Sequence, residues 1–327
     1  MSDRPSRSRG LLAGVLALAL PLALVAGLVV WWNGGIGLIV GREVCTIDGP
    51  GGTVQLDLEQ VTNASTIAAV AQRTDLPSRA VTVGLATAMQ ESELRNLDGG
   101  DHDSAGLFQQ RPSQGWGSFS QVTDPVYASE AFFSALIAVE RWQQLPVTVA
   151  AQTVQRSAYP DAYQQHADEA KTIAAALTGR RAAALTCTVR AEDERTQKLD
   201  PTGLTPRATT LRTAMEDAWG TQSLGGFAPG GVTRANPSAH NEGRAIDVFF
   251  EPYRDPQMRH RGWALAHWLV AHADQLDVGV IIYRDRIWSA RRSPEGWRDY
   301  TSPYGNPKDP TLRHLDHIHV EVVQGEL

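Results

Sequence analysis

Two sets of side chains in this sequence are typed and spaced for chemistry. The first is one carboxylate, Glu91, which shares a helical face with the small residues Gly84 and Ala88 and leads into a polar stretch. A carboxylate on such a face suits the floor of a cleft, where it can act as general acid and base. The alternative for that position is a solvated charge at a helix end, the reading we give to Glu93. The second set is larger. His240 and Asp247 flank Gly243, and the run His314-Leu315-Asp316-His317-Ile318-His319 opens an apolar stretch near the C-terminus. Strand alternation puts His317 and His319 on one face. Two imidazoles and a carboxylate, with a fourth position left for water, make the donor set of a catalytic zinc. A lone histidine is more simply a core or surface residue, but two clustered runs make that explanation poor.

The residues around each set carry a resemblance. Gln90-Glu91-Ser92 with Leu94-Arg95-Asn96, then Ser104-Ala105-Gly106-Leu107-Phe108-Gln109, then Ser157-Ala158-Tyr159 with Tyr163, resemble the lysozyme-like lytic transglycosylases, notably those of exported actinobacterial wall hydrolases, over about residues 60–180. The resemblance implies that Glu91 is the catalytic acid. It also implies that Ser92, Gly106, Leu107, Phe108, Gln109, Tyr159 and Tyr163 line a sugar groove. Trp116, Tyr159 and Tyr163 are candidates to stack on sugars, with core aromatics as the alternative. A single glutamate suffices where the sugar's own 6-hydroxyl attacks, whereas a hydrolase needs a second carboxylate. Asp98, Asp101 and Asp103 are the nearby candidates, or else they shape a polar loop.

Ser238-Ala239-His240-Asn241-Glu242-Gly243-Arg244-Ala245-Ile246-Asp247 is similar to the first motif of the LAS-type metallopeptidases, the group that includes D-Ala-D-Ala carboxypeptidases. Over residues 206–327 the resemblance implies zinc on His240, Asp247 and His319. It places Asp316 at the general-base position beside His317, with support of an imidazole ligand as the rival role for Asp316. Arg234 resembles an arginine that contacts substrate in relatives. The Glu-x-Trp-His form of the second motif is absent, and Asp316-His317-Ile318-His319 stands in its place.

The elements that must position these residues follow from periodicity. A helix from Ser78 to about Leu94 carries Glu91, followed by a long loop over Asp98–Pro125. Further helices are expected over Val126–Trp142, Val147–Arg156 and Asp161–Leu177. Residues 188–205 are charged and poor in apolar side chains, and read as a linker. Beyond them the pattern is mixed, with helices near Thr209–Trp219 and Met258–Ala273. Strands are expected at Ala245–Phe250, Val278–Tyr283 and Ile318–Val323. The fold class expected is α+β overall: an all-α lysozyme-like domain over 45–187, then an α+β metallopeptidase-like domain over 206–327.

Composition and the N-terminus set the compartment. The chain has 327 residues, 42% hydrophobic and 20% charged, which excludes wholesale disorder, and a net charge of −6 gives no reason to expect a nucleic-acid partner. Residues 10–40 are uncharged and long enough to cross a bilayer, preceded by a short cytoplasmic tail, 1–9, with Arg4, Arg7 and Arg9, and Trp31 and Trp32 stand at the far end of its apolar run Leu11–Trp32. A transmembrane anchor is expected there, with a cleaved signal peptide as the alternative. Either way the rest of the chain is exported, and an oxidising compartment favours pairing Cys45 with Cys187 over two free thiols. The expectation is therefore a membrane-anchored peptidoglycan hydrolase with two centres, with Zn2+ as cofactor and peptidoglycan as partner. The alternative is a wall-binding scaffold whose metal domain is not catalytic.

Overall fold

The computed structural model describes residues 43–49, 52–157, 159–190, 197–234, 238–306 and 308–324. The expected tail and membrane segment, and residues 191–196 of the expected linker, lie outside them. Among the described residues no helix is long and apolar enough to cross a membrane. The fold is mixed α+β.

A hairpin comes first, β1 (Cys45–Gly49) and β2 (Gly52–Leu56), with β3 (Leu185–Cys187) pairing on the other side of β1. Cys45 lies opposite Cys187 in that register, and the two are disulfide-bonded, as expected, across 142 residues of chain. Closing a loop of that size is worth roughly 5 kcal/mol in the chain-entropy picture.

Between these strands run the helices α1 (Leu58–Arg73), α2 (Ser78–Ser92), α3 (Phe119–Val122), α4 (Pro125–Ile137), α5 (Val147–Gln155) and α6 (Ala167–Leu177). Helix α1 begins with a reciprocal cap: Asp57 Oδ1 accepts from the Gln60 amide, and Gln60 Oε1 accepts from the Asp57 amide. Helix α2 packs closely on its neighbours at Gly84, where an added Cβ would lie 3.2 Å from both Ile67 and Phe133. Sequence periodicity missed α1 and the hairpin, and α4 ends at Ile137 rather than at Trp142.

The second half adds α7 (Pro206–Trp219) and α8 (Pro256–Ala271) to a six-stranded sheet. Its strands are β4 (Leu224–Gly225), β5 (Ala245–Phe249), β6 (Val278–Tyr283), β7 (Arg286–Ser289), β8 (Arg298–Asp299) and β9 (His317–Val322), in the order β4-β5-β9-β6-β7-β8. Neighbouring strands are antiparallel throughout. The expected strands at 245, 278 and 318 are therefore adjacent, with β9 between β5 and β6.

Helix α8 packs on β6 and also on α1 and α6, so residues 43–327 form one compact unit. Thr62 Oγ1 donates to the Ala271 carbonyl at 3.0 Å across this contact. His267, fully buried on α8, has Nδ1 2.8 Å from the Ala176 carbonyl, while its Nε2 accepts the Ala184 amide at 3.1 Å. Only a neutral ring with its proton on Nδ1 satisfies both bonds. Burial accordingly pushes the His267 pKa down to about 4, against partial support from the Ala176 carbonyl.

Because the folded pKa lies below the unfolded value of 6.5, the unfolded chain binds the extra proton. Stability from this group is complete above pH 6.5 and is lost as pH falls toward about 4, by roughly 3 kcal/mol. Denaturant melts between those pH values should show this loss, and His267→Gln should flatten it. An equal pH slope in the variant would contradict the assignment.

Candidate functional site: a carboxylate cleft and a His-Asp-His centre

Glu91 stands one residue before the end of α2, and Glu93 closes the helix in the left-handed conformation with φ 55°. Tyr163, itself fully buried, donates its hydroxyl to Glu91 Oε1 at 2.6 Å. Burial and then the bond to Glu91 raise the Tyr163 pKa, so the phenol remains a donor. The carboxylate borders a cleft of about 1220 Å3, also lined by Asp101, Gln109, Trp116, Glu140, Gln155 and Arg156.

The segment after α2 is fixed by backbone contacts rather than by its side chains. Ser92 Oγ donates to the Leu107 carbonyl at 2.8 Å, and Gln155 Nε2 donates to the Phe108 carbonyl at 2.8 Å. Gly106 has φ 76°, and a Cβ there would fall 1.9 Å from the Val122 carbonyl oxygen, so only glycine fits. Leu107 and Phe108 turn into the core, where Phe108 stacks on Phe132 at 4.5 Å. Of the expected groove segment, Gln109 reaches the cleft; its Oε1 accepts from Ser104 Oγ at 3.0 Å. Tyr159 is 76% exposed and does not line the cleft. Asp103 is engaged by Arg111 and by Ser113, which pull its carboxyl far below the usual range.

The second site is built by strand register. Asp247 on β5 lies directly opposite His319 on β9, and Phe249 lies opposite His317. Side chains paired across antiparallel strands share a face, so Asp247, His317 and His319 meet. His240 comes from a short turn, Ala239–Glu242, capped by Ser238 and closed by Gly243 at φ 67°. Three donor atoms converge: His240 Nε2 and His319 Nδ1 are 3.0 Å apart, and Asp247 Oδ1 is 3.1 Å from His319 Nδ1 and 3.2 Å from His240 Nε2. All three residues are buried, and together they could hold a metal ion. A tetrahedral zinc with bonds of about 2.0–2.1 Å needs ligand atoms about 3.3 Å apart, close to this triangle.

Each ring also has an acceptor on its outward nitrogen. The Gly226 carbonyl lies 2.9 Å from His240 Nδ1, and Glu321 Oε1 lies 2.9 Å from His319 Nε2. With each outward acceptor taking the N–H of a neutral ring, the two facing nitrogens present lone pairs to a cation, which Asp247 Oδ1 joins as third donor. Burial opposes ionisation of Asp247, but its bonds to His240 and His319 hold its carboxyl far below the usual range. Burial disfavours the His319 imidazolium, yet the Asp247 and Glu321 carboxylates raise its pKa to about 9. The raised His319 pKa means that a metal ion competes with a proton for this site.

Around the triangle, His317 Nε2 lies 3.8 Å from Asp247 Oδ1, and its Nδ1 is 2.7 Å from Asp316 Oδ1. Asp316, which also accepts from Thr311, thus faces the centre through His317 rather than directly. Arg234 Nη2 stands 3.5 Å from Asp247 Oδ2, and its backbone amide is fixed by Asn241 Oδ1 at 2.8 Å. Periodicity gave no sign of Gly226 or of Glu321. Gly226 is distant in sequence, and a Cβ on it would lie 2.4 Å from the His240 ring. Glu321 was hidden as one acidic residue in an apolar strand, although its spacing from His319 is legible once the ligand is known. No curated protein matches this chain. Residues 200–314 match the family described as VldE, C-terminal domain, a stretch that includes His240 and Asp247 and ends before His317 and His319.

Proposed function

We propose that this protein cleaves peptidoglycan at two centres, cutting glycan strands at Glu91 and peptide stems at the His240-Asp247-His319 centre. The reading takes the first half as lysozyme-like and the second as LAS-type, anchored through residues 10–40 with residues 42 onward outside the cytoplasm. The observation that carries it is the buried donor triangle, in which one nitrogen of each of His240 and His319 and one oxygen of Asp247 converge. An imidazole–imidazole–carboxylate set with an open position favours zinc over harder cations. A zinc ion held by His240, Asp247 and His319 would supply Lewis-acid polarisation of the scissile carbonyl and a more acidic water.

The remaining steps belong to the chain itself. His317 Nε2 takes the proton of the water that attacks the carbonyl carbon and delivers it to the amide nitrogen as the C–N bond breaks, and Asp316 holds the Nδ1–H side of the ring so that Nε2 serves as the acceptor. Arg234 offers its guanidinium to a carboxylate of the peptide. In the other half, Glu91 protonates the glycosidic oxygen as the C–O bond breaks, then accepts the proton of the attacking hydroxyl. Tyr163 holds the Glu91 carboxyl in place during both transfers.

Digestion of purified peptidoglycan with the full chain, read by mass spectrometry, tests this reading. The expected products are glycan fragments with anhydro-muramic ends and shortened stems whose formation stops with a zinc chelator. Reducing ends instead of anhydro ends would make the first centre a hydrolase. Unaltered peptidoglycan would refute the proposal.

A further inference from the structure

Beyond the ligands, the centre has a second layer that ends on one part-buried ion network. Alternation along β9 puts Glu321 on the same face as His317 and His319. Its Oε1 is 2.9 Å from His319 Nε2, the ring nitrogen turned away from the donor triangle. Its Oε2 is 3.8 Å from Arg244 Nη1. Arg244 also donates to Glu242 Oε2 at 2.6 Å and to the Val322 carbonyl at 2.8 Å. Glu242 belongs to the turn that carries His240, and Arg244 leads directly into the strand that carries Asp247. One carboxylate and one guanidinium therefore connect all three ligand-bearing segments.

We infer that Glu321, held by Arg244, is a positioning residue that selects the metal-binding tautomer of His319. A neutral imidazole has one N–H, and only a lone pair on Nδ1 can bind a cation in the triangle. With the proton on Nδ1 instead, the Nε2 lone pair would face the Glu321 oxygen, and the buried ring has little access to water that could substitute for the lost bond. The carboxylate thus makes the ligating form the one that satisfies the strand. Acceptors at this outer position commonly change metal affinity by about 10–100-fold when removed.

This inference rests on the metal reading above, and the test separates the two. Zinc affinity of the full chain is measured by competition with a chromophoric chelator in wild type, Glu321→Leu and Glu321→Gln. The histidine tautomers are followed by long-range 1H–15N NMR. Glu321→Leu should bind zinc ~10–100-fold more weakly and lose the Nε2–H signature of His319. Glu321→Gln keeps a carbonyl acceptor, so it should keep that signature and most of the affinity. Zinc bound equally well by wild type and Glu321→Leu overturns this inference alone. A loss in Glu321→Gln as deep as in Glu321→Leu also overturns it, because the acceptor is then not what matters. No zinc in the wild type overturns the metal reading itself.

Discussion

Glu91→Gln should lower glycan cleavage by ~10²–10⁴-fold while leaving the fold and the metal centre intact. The substitution keeps the shape of the side chain and an oxygen to accept the Tyr163 hydroxyl, whose bond to Oε1 is 2.6 Å. What it removes is the transferable proton. Each 1.4 kcal/mol of barrier is a factor of about ten in rate, so the expected loss corresponds to about 3–5 kcal/mol of transition-state stabilisation. Peptide trimming by the second half should be unchanged, which makes the variant its own control for folding. Glycan cleavage at the wild-type rate would remove Glu91 from the mechanism.

His317→Ala should lower peptide cleavage by a similar ~10²–10⁴-fold and leave zinc bound, because His317 is outside the donor triangle. Asp316→Asn should follow it with a smaller loss. Asp316 acts only through the 2.7 Å contact with His317 Nδ1, and an amide can hold that nitrogen in the wrong proton state. Peptidase rates and metal content of the two variants check this order. If Asp316→Asn were the more damaging of the two, the aspartate itself would be the base, as the resemblance to LAS-type metallopeptidases implied.

What the sequence disclosed, and what it did not, divides along physical lines. Strands β5, β6 and β9 were visible because they are short apolar runs with β-branched residues, and the pairing of β5 with β9 brings Asp247 and His319 together, while His240 enters from the turn before β5. Helix α2 was visible from its start at Pro77-Ser78 and its helical spacing, and its end places Glu91 at the cleft. Helix α1 was not, because its inward face carries Asn63, Ser65 and Thr66, which break the apolar stripe. Those polar groups are satisfied at close range: Asn63 Nδ2 donates to the Leu94 carbonyl at 2.8 Å, and Thr66 Oγ1 to the Thr62 carbonyl at 3.0 Å. The direction in which Asp316 points was hidden because sequence spacing is blind to direction. Lying just before β9, it turns to its neighbour His317 rather than toward the ligands. The Gly-Leu-Phe-Gln segment taught a related lesson: Leu107 and Phe108 serve the cleft by being buried, holding the backbone on which Gln109 is displayed.

Metal content tests the central claim most directly. The full chain, purified without chelator under zinc-replete conditions, should carry about one zinc per molecule by mass spectrometry, and His240→Ala should carry none. Removing the metal from the wild type should also lower its melting temperature, since the ligands come from a turn and two strands that the ion joins. A wild-type chain without zinc under those conditions, or a His240→Ala chain that keeps it, would contradict the metal centre.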